Sequence, residues 1–152
     1  MTQYVNQFAP TVEKGMLDLE FGSNVISGYA ASILEAGQAV KMTTSNGKMP
    51  YFTAVTADTD LVFGYVVLNV KKTSYAIGER VEIAVNNSVM YMTCDSTAVA
   101  VQAEVMYVVS SGKMTTASNS TKCISGVALD NGTSDELIRI YIQTLNQKRP
   151  LV

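Results

Sequence analysis

A phrase that occurs twice constrains this chain more than any other feature. "TTSNGKM" (Thr43 to Met49) returns as "VVSSGKM" (Val108 to Met114), 65 residues downstream. After the first copy come "FGYVVLN" (Phe63 to Asn69) and "ERVEIAV" (Glu79 to Val85). After the second come "ISGVALD" (Ile124 to Asp130) and "ELIRIYI" (Glu136 to Ile142). Val40, ahead of the first hairpin, has a counterpart in Val105. A single recurrence would be turn chemistry, because hairpin tips draw on few residue types. Three in the same order predict an internal duplication over about residues 36–85 and 101–142. Three or four strands per copy cannot close a sheet alone. The pattern therefore predicts an all-β fold, a compact β-barrel or sandwich in which two similar halves share a core.

The local patterns agree. "RVEIAV" (Arg80 to Val85) and "LIRIYI" (Leu137 to Ile142) alternate apolar and polar residues with the period of a half-buried strand. "LVFGYVVL" (Leu61 to Leu68) and "EVMYVVS" (Glu104 to Ser110) are apolar runs of strand length. Asn46-Gly47, Ile77-Gly78, Ser111-Gly112 and Asn131-Gly132 supply turn residues between them. The best helical candidate, Tyr29 to Gly37, is short, and Met16 to Phe21 alternates like a strand. The expected layout is an N-terminal arm and first strand (1–24), a β-barrel-like domain (25–145) and a C-terminal tail (146–152). In the arm, Tyr4, Val5 and Phe8 are apolar anchors ahead of Pro10, as in a segment that orders on a partner.

Composition narrows the function by exclusion. With 152 residues, 47% apolar and 16% charged, the chain can bury a sizeable core. Its 11 Lys and Arg build no basic stripe, so nucleic acid is not an expected partner. No apolar run approaches a membrane span, and the N-terminus lacks the features of a signal peptide, so synthesis in a cytoplasm is expected. Cys94 and Cys123 form no Cys-x-x-Cys and read as small, half-buried thiols in strands, with a disulfide open if the protein matures in an oxidising medium.

Histidine is absent, which removes the common triads, histidine bases and most transition-metal sites. Gly-Lys-Met lacks the spacing of a phosphate-binding loop. Asp58 with Asp60, and Asp135 with Glu136, are the close carboxylate pairs, and loop carboxylates of this kind are ordinarily solvated. "ADTD" lacks the full pattern of a calcium loop. The three Asn-x-Ser/Thr matches, at Asn86, Asn119 and Asn131, are discounted without a secretion signal. The 8 Tyr are dispersed and Trp is absent, which disfavours a sugar-stacking platform. No catalytic residue, cofactor or metal site is expected. The candidate contact residues are Tyr4, Val5, Phe8 and Pro10 in the arm, with Gly47, Lys48, Gly112 and Lys113 at the hairpin tips.

Taken together, "GYAASILEAGQAVKM" (from Gly28), "FGYVVLN", "YAIGERVEIA" (from Tyr75) and "ISGVALD…IRIYI" resemble the small β-rich capsid decoration, or cement, proteins of tailed bacteriophages. The likeness lies in a Gly-x-x-Val strand start (Gly37 to Val40), the Gly64 to Val66 and Gly126 to Ala128 strands, a Tyr-x-x-Gly-x-x-Val step (Tyr75 to Val81) and a closing Ile-Arg-Ile (Ile138 to Ile140). It covers about residues 25–145. The resemblance implies a non-enzymatic virion protein on the outer capsid surface, a homotrimer that bridges major capsid subunits and stabilises the shell. A virion-displayed carbohydrate- or receptor-binding module is the alternative, and a hydrolase using Asp58 and Asp60 a more distant one.

Overall fold

The computed structural model describes residues 12–45, 49–57, 60–69, 72–116 and 124–143. Apart from one 3-10 turn at Leu19–Phe21, the regular structure is all β. A first unit contains β1 (Val25–Ala30), β2 (Leu34–Glu35), β3 (Ala39–Ser45), β4 (Pro50–Ala54), β5 (Gly64–Val66), β6 (Ser74–Tyr75) and β7 (Arg80–Ala84). A second contains β8 (Val89–Thr93), β9 (Glu104–Val108), β10 (Lys113–Thr116), β11 (Ile124–Ala128) and β12 (Leu137–Ile142).

The strand orders of the two units match. The first is a closed barrel that reads β4-β3-β5-β7-β1 around its wall, and the second reads β10-β9-β11-β12-β8. The first closes by parallel pairing of β1 with β4, Tyr29 to Tyr51 and Ala30 to Phe52. At the same place the second has a single parallel bridge, Cys94 to Met114. Five strands per unit, rather than three or four, let the first unit close by itself. The added strands, β1 and β8, lie upstream of the recurring phrases.

Pairing registers match residue by residue. Ala84 pairs with Tyr65 and Val25, as Tyr141 pairs with Val127 and Val89. Glu79 and Glu136 therefore correspond, and they do the same work. Each accepts a hydrogen bond on its carboxylate from the N–H three residues earlier, Ala76 or Thr133, and returns its own N–H to that residue's carbonyl. The Gly-Lys-Met phrases do not correspond. Val40 opposite Ala54 matches Val105 opposite Thr116, which puts Met114 in the place of Phe52 rather than Met49. The first hairpin is longer and carries an irregularity between Met42 and Thr44.

Gly64 and Gly126 also correspond, and here the residue type is dictated. A Cβ on Gly64 would fall on the Ala84 carbonyl oxygen and the Ile83 Cγ2; one on Gly126 would fall on the Tyr141 carbonyl oxygen and the Ile140 Cγ2. Only a residue without a side chain lets β5 and β11 approach the next strand this closely.

The first interior is filled by Ala30, Val40, Phe52, Val66, Val81 and Ile83. At matching positions the second has Cys94, Val105, Met114, Ala128, Ile138 and Ile140. The outer row Ala39, Tyr65 and Ala84 is fully buried and belongs to the second unit's core cluster, so the units share one apolar seam. Across it the Tyr65 and Tyr107 rings meet edge-on, centroids 5.9 Å apart. Cys94 is fully buried, deeper than the half-buried position the sequence predicts. Cys123 lies outside the described residues.

The short candidate Tyr29 to Gly37 forms no helix, in keeping with the all-β reading: β1 runs into a turn, β2 follows, and Ala31 donates to the Phe52 carbonyl at 2.7 Å. Two local expectations change. Met16 to Phe21 is not a full strand: Leu17 makes an isolated bridge to Met90, and Asp18 caps the 3-10 turn by accepting from the Glu20 N–H. Gly132 is not a hairpin tip but bridges Val99, and Asp135 takes the positive φ of the following turn.

Three substitutions test this account. Gly64→Ala and Gly126→Ala should each destabilise by on the order of 3 kcal/mol, measured by urea unfolding, because backbone carbonyls cannot move aside. Gln102 adopts a φ of 68° where its counterpart Gly37 adopts 77°. Gln102→Gly should therefore raise stability by about 0.5–1 kcal/mol, the left-handed cost less the added chain entropy.

Candidate docking surface

The arm residues Tyr4, Val5, Phe8 and Pro10, and the first hairpin tip with Gly47 and Lys48, lie outside the described residues. The second tip is held from both sides. Lys113 pairs with Asp135, which raises the lysine's pKa. The Gly112 carbonyl accepts a hydrogen bond from Lys14 Nζ at 2.6 Å. Lys14 also lays its alkyl chain over Gly37, where a Cβ would strike its Cγ. Burial lowers the pKa of Lys14, with Glu35 opposing. The Lys14 segment thus straps the first unit to the second: Gly15 donates to the Tyr91 carbonyl and accepts from the Leu68 N–H. No sequence motif signals this strap.

The carboxylates are occupied by the fold. Asp60 pairs with Lys41 at 2.9 Å and accepts from the N–H groups of Thr56 and Ala57, which together hold its pKa below the usual value. Such a group caps a turn and is a poor proton donor near neutral pH. Asp58 lies outside the described residues. Among those described, no group of three His, Cys, Asp or Glu is placed to hold a metal ion.

Arg139 organises a second anchor. Its guanidinium donates to Asp130 through Nε at 3.0 Å and Nη2 at 2.8 Å, and to Asp18 at 3.4 Å. The Phe21 ring lies over it, 5.4 Å from Cζ to centroid. Asp130 is held below the ordinary carboxylate range by Arg139. The contact spans from residue 18 to residue 139 and pins the 3-10 turn to β12. Sequence reading found the Ile-Arg-Ile strand but not its partners, because the acids come from distant segments.

The outer surface carries large apolar side chains, notably Leu19, Phe21, Leu61, Ile33 and Ile77. Tyr29 and Tyr51 pack side by side on the first unit, centroids 5.5 Å apart and tilted by 38°. That tilt gives no flat platform for a sugar ring. A groove of about 430 Å³ between Val67, Asn69, Tyr75, Arg80 and Glu82 adjoins them.

No protein-family model matches the chain, and no curated protein matches it in sequence. Among solved structures, it is similar to the head fiber gp8.5 N base of bacteriophage phi29, with a TM-score of 0.53 and 11% identity. The match covers 85% of this chain and 98% of that one. Both units are therefore part of a shared fold. Among the described residues, no helix is long and apolar enough to cross a membrane.

The depressed Asp130 and Asp60 predict acid sensitivity. A carboxylate whose folded pKa lies below its unfolded value stabilises the fold above that unfolded value, about 3.9, and the contribution is lost as pH falls through the folded one. The thermal midpoint should drop steeply below about pH 4. Asp130→Asn should melt lower at pH 7 but with a shallower acid slope, so the two curves converge at low pH.

Proposed function

We propose that this chain is a non-enzymatic structural protein of a phage virion that docks on the outer surface of the head. The observation that carries the proposal is the two-unit fold, shared over nearly the whole length of the head fiber gp8.5 N base of bacteriophage phi29. The commitment of Asp60, Asp130 and Asp135 to ion pairs supports it, since these acids serve the fold. We read the two units as duplicates that diverged after fusion. On this reading the chain is a decoration protein that bridges major capsid subunits as a homotrimer, with residues 1–12 as part of its grip. Many copies on a repeating shell gain through multivalency what a single contact lacks. A protein that binds only the assembled shell stabilises it by mass action.

The test is binding of purified protein to heads lacking it. Wild-type protein should bind to saturation and raise the temperature at which heads release their contents. Deleting residues 1–12 should leave the melting transition in place and weaken binding by about ten-fold or more, the equivalent of burying one or two apolar anchors. Equal binding by the truncated chain would remove the arm from the grip. Absence of binding by the wild type, together with a hit on a glycan array, would favour a carbohydrate-binding module instead.

A further inference from the structure

One end of the first unit differs in chemistry from the same end of the second, although the backbone is the same. In the first, Gly78 donates to the Ala30 carbonyl at 2.8 Å, and Leu34 pairs with Tyr75. Between these pairings lie Ile33 and Ile77, 65% and 69% exposed. In the second, Asp135 donates to the Cys94 carbonyl at 3.0 Å, and Val99 bridges Gly132. There the counterpart of Ile77 is Ser134, and the stretch between Cys94 and Val99 is Asp95-Ser96-Thr97-Ala98.

The adjoining wall differs in the same sense. The first unit carries the Tyr29 and Tyr51 rings, with Arg80 paired in register to Tyr29. At the matching places the second carries the Lys113–Asp135 ion pair where the first has Tyr51 and Gly78, and Leu137 where the first has Arg80. Arg80 donates to the Ser27 hydroxyl at 3.3 Å and makes no ion pair with a described residue. Lys41, Lys72, Lys113 and Arg139 each sit on a carboxylate. Of the acids beside Arg80, Glu79 is held by Lys72, and Glu82 lines the neighbouring groove.

The second unit demonstrates that this backbone needs neither exposed isoleucines nor an arginine without an ion pair. We infer that this end of the first unit is a docking surface for an extended acidic and aliphatic segment of a partner protein. The partner's aliphatic side chains lie on Ile33, Ile77 and the tyrosine pair, and its carboxylate meets Arg80. Exposed aliphatics favour a protein over a glycan, whose hydroxyls would lose water against them without replacement. A two-fold contact with a second copy would bring Arg80 near Arg80, which like charge disfavours. The inference rests on the head-docking reading and names the face that performs it.

The test uses the full chain and heads purified without it, at two salt concentrations. Ile33→Thr with Ile77→Ser, and Arg80→Leu, introduce the residue types of the second unit and should melt like the wild type. The first pair should bind heads at least about ten-fold more weakly. Arg80→Leu should bind several-fold more weakly and lose much of the salt dependence, which a purely structural role would not alter. Ser134→Ala, on the other unit, should bind as the wild type does. If the wild type binds and the variants match it, the docking face is elsewhere and the head-docking reading stands. If the wild type does not bind, that reading fails before any variant is measured. Glycan binding removed by the isoleucine pair, or a dimer seen by light scattering that the same pair dissociates, would overturn the inference by naming another occupant.

Discussion

Both units depend on a strand that carries no side chain where its neighbour's carbonyl comes closest. Gly64 on β5 meets Ala84 of β7, and Gly126 on β11 meets Tyr141 of β12, with the Ile83 and Ile140 methyls completing each contact. The approach brings β5 and β11 near enough to pair on both sides within a few residues. The first is only Gly64–Val66 long, yet it links β3 to β7. Without that link the first wall would open between β3 and β7, and the buried row Ala39, Tyr65 and Ala84 would lose its continuity. The seam between units is built on that row, so the same constraint reaches from strand pairing to the docking of one unit on the other.

On this common frame the two units have solved local problems differently. Positive φ falls on Gly37 and Gly78 in the first, and on Gln102 and Asp135 in the second. Asp135 gains from it, because the turn presents its carboxylate to Lys113. Gln102 makes no comparable contact among the described interactions, so its turn is held by its neighbours: it donates to the Ala128 carbonyl at 2.8 Å as Gly37 donates to that of Val66. Tertiary hydrogen bonds thus over-determine a backbone that the local residue disfavours.

What could be read in the sequence follows from how local each signal is. β7 and β12 were legible because alternation is written into five or six adjacent residues, and the structure buries Val81, Ile83, Ile138, Ile140 and Ile142 as that pattern requires. The glycine phrase was legible because its constraint is absolute. β1 was not: Val25 and Ile26 are both exposed and Gly28 has no side chain, so no period of two appears. Tyr29 to Gly37 was the best helical candidate but too short to carry the reading, and long-range partners fix its extended form, with Ala30 donating to Glu79 and Ala31 to Phe52. The Gly-Lys-Met phrase was legible as a hairpin and misleading as a register, because loop length changes more freely than the strands it joins. Of the candidate contact residues, the described pair Gly112 and Lys113 proved to be tied down by Lys14 and Asp135.

The shared seam also limits what such a chain can offer a partner. One wall of the first unit is spent on the second, and Leu17, Gly15 and Lys14 cover the edge of β8 and the crossing between units. Arg139 with Phe21 closes another stretch by holding the 3-10 turn on β12. Packing a closed barrel against a five-stranded sheet thereby gives each unit a core larger than its own five strands could bury, at the cost of surface. What stays open is the end of the first unit farthest from these straps in chemistry, with aliphatic tips and an arginine lacking a carboxylate partner among the described residues. The strap bears on both units, on Gly37 and Leu68 of the first and on Tyr91 and Gly112 of the second, and it leaves Ile33 and Ile77 exposed.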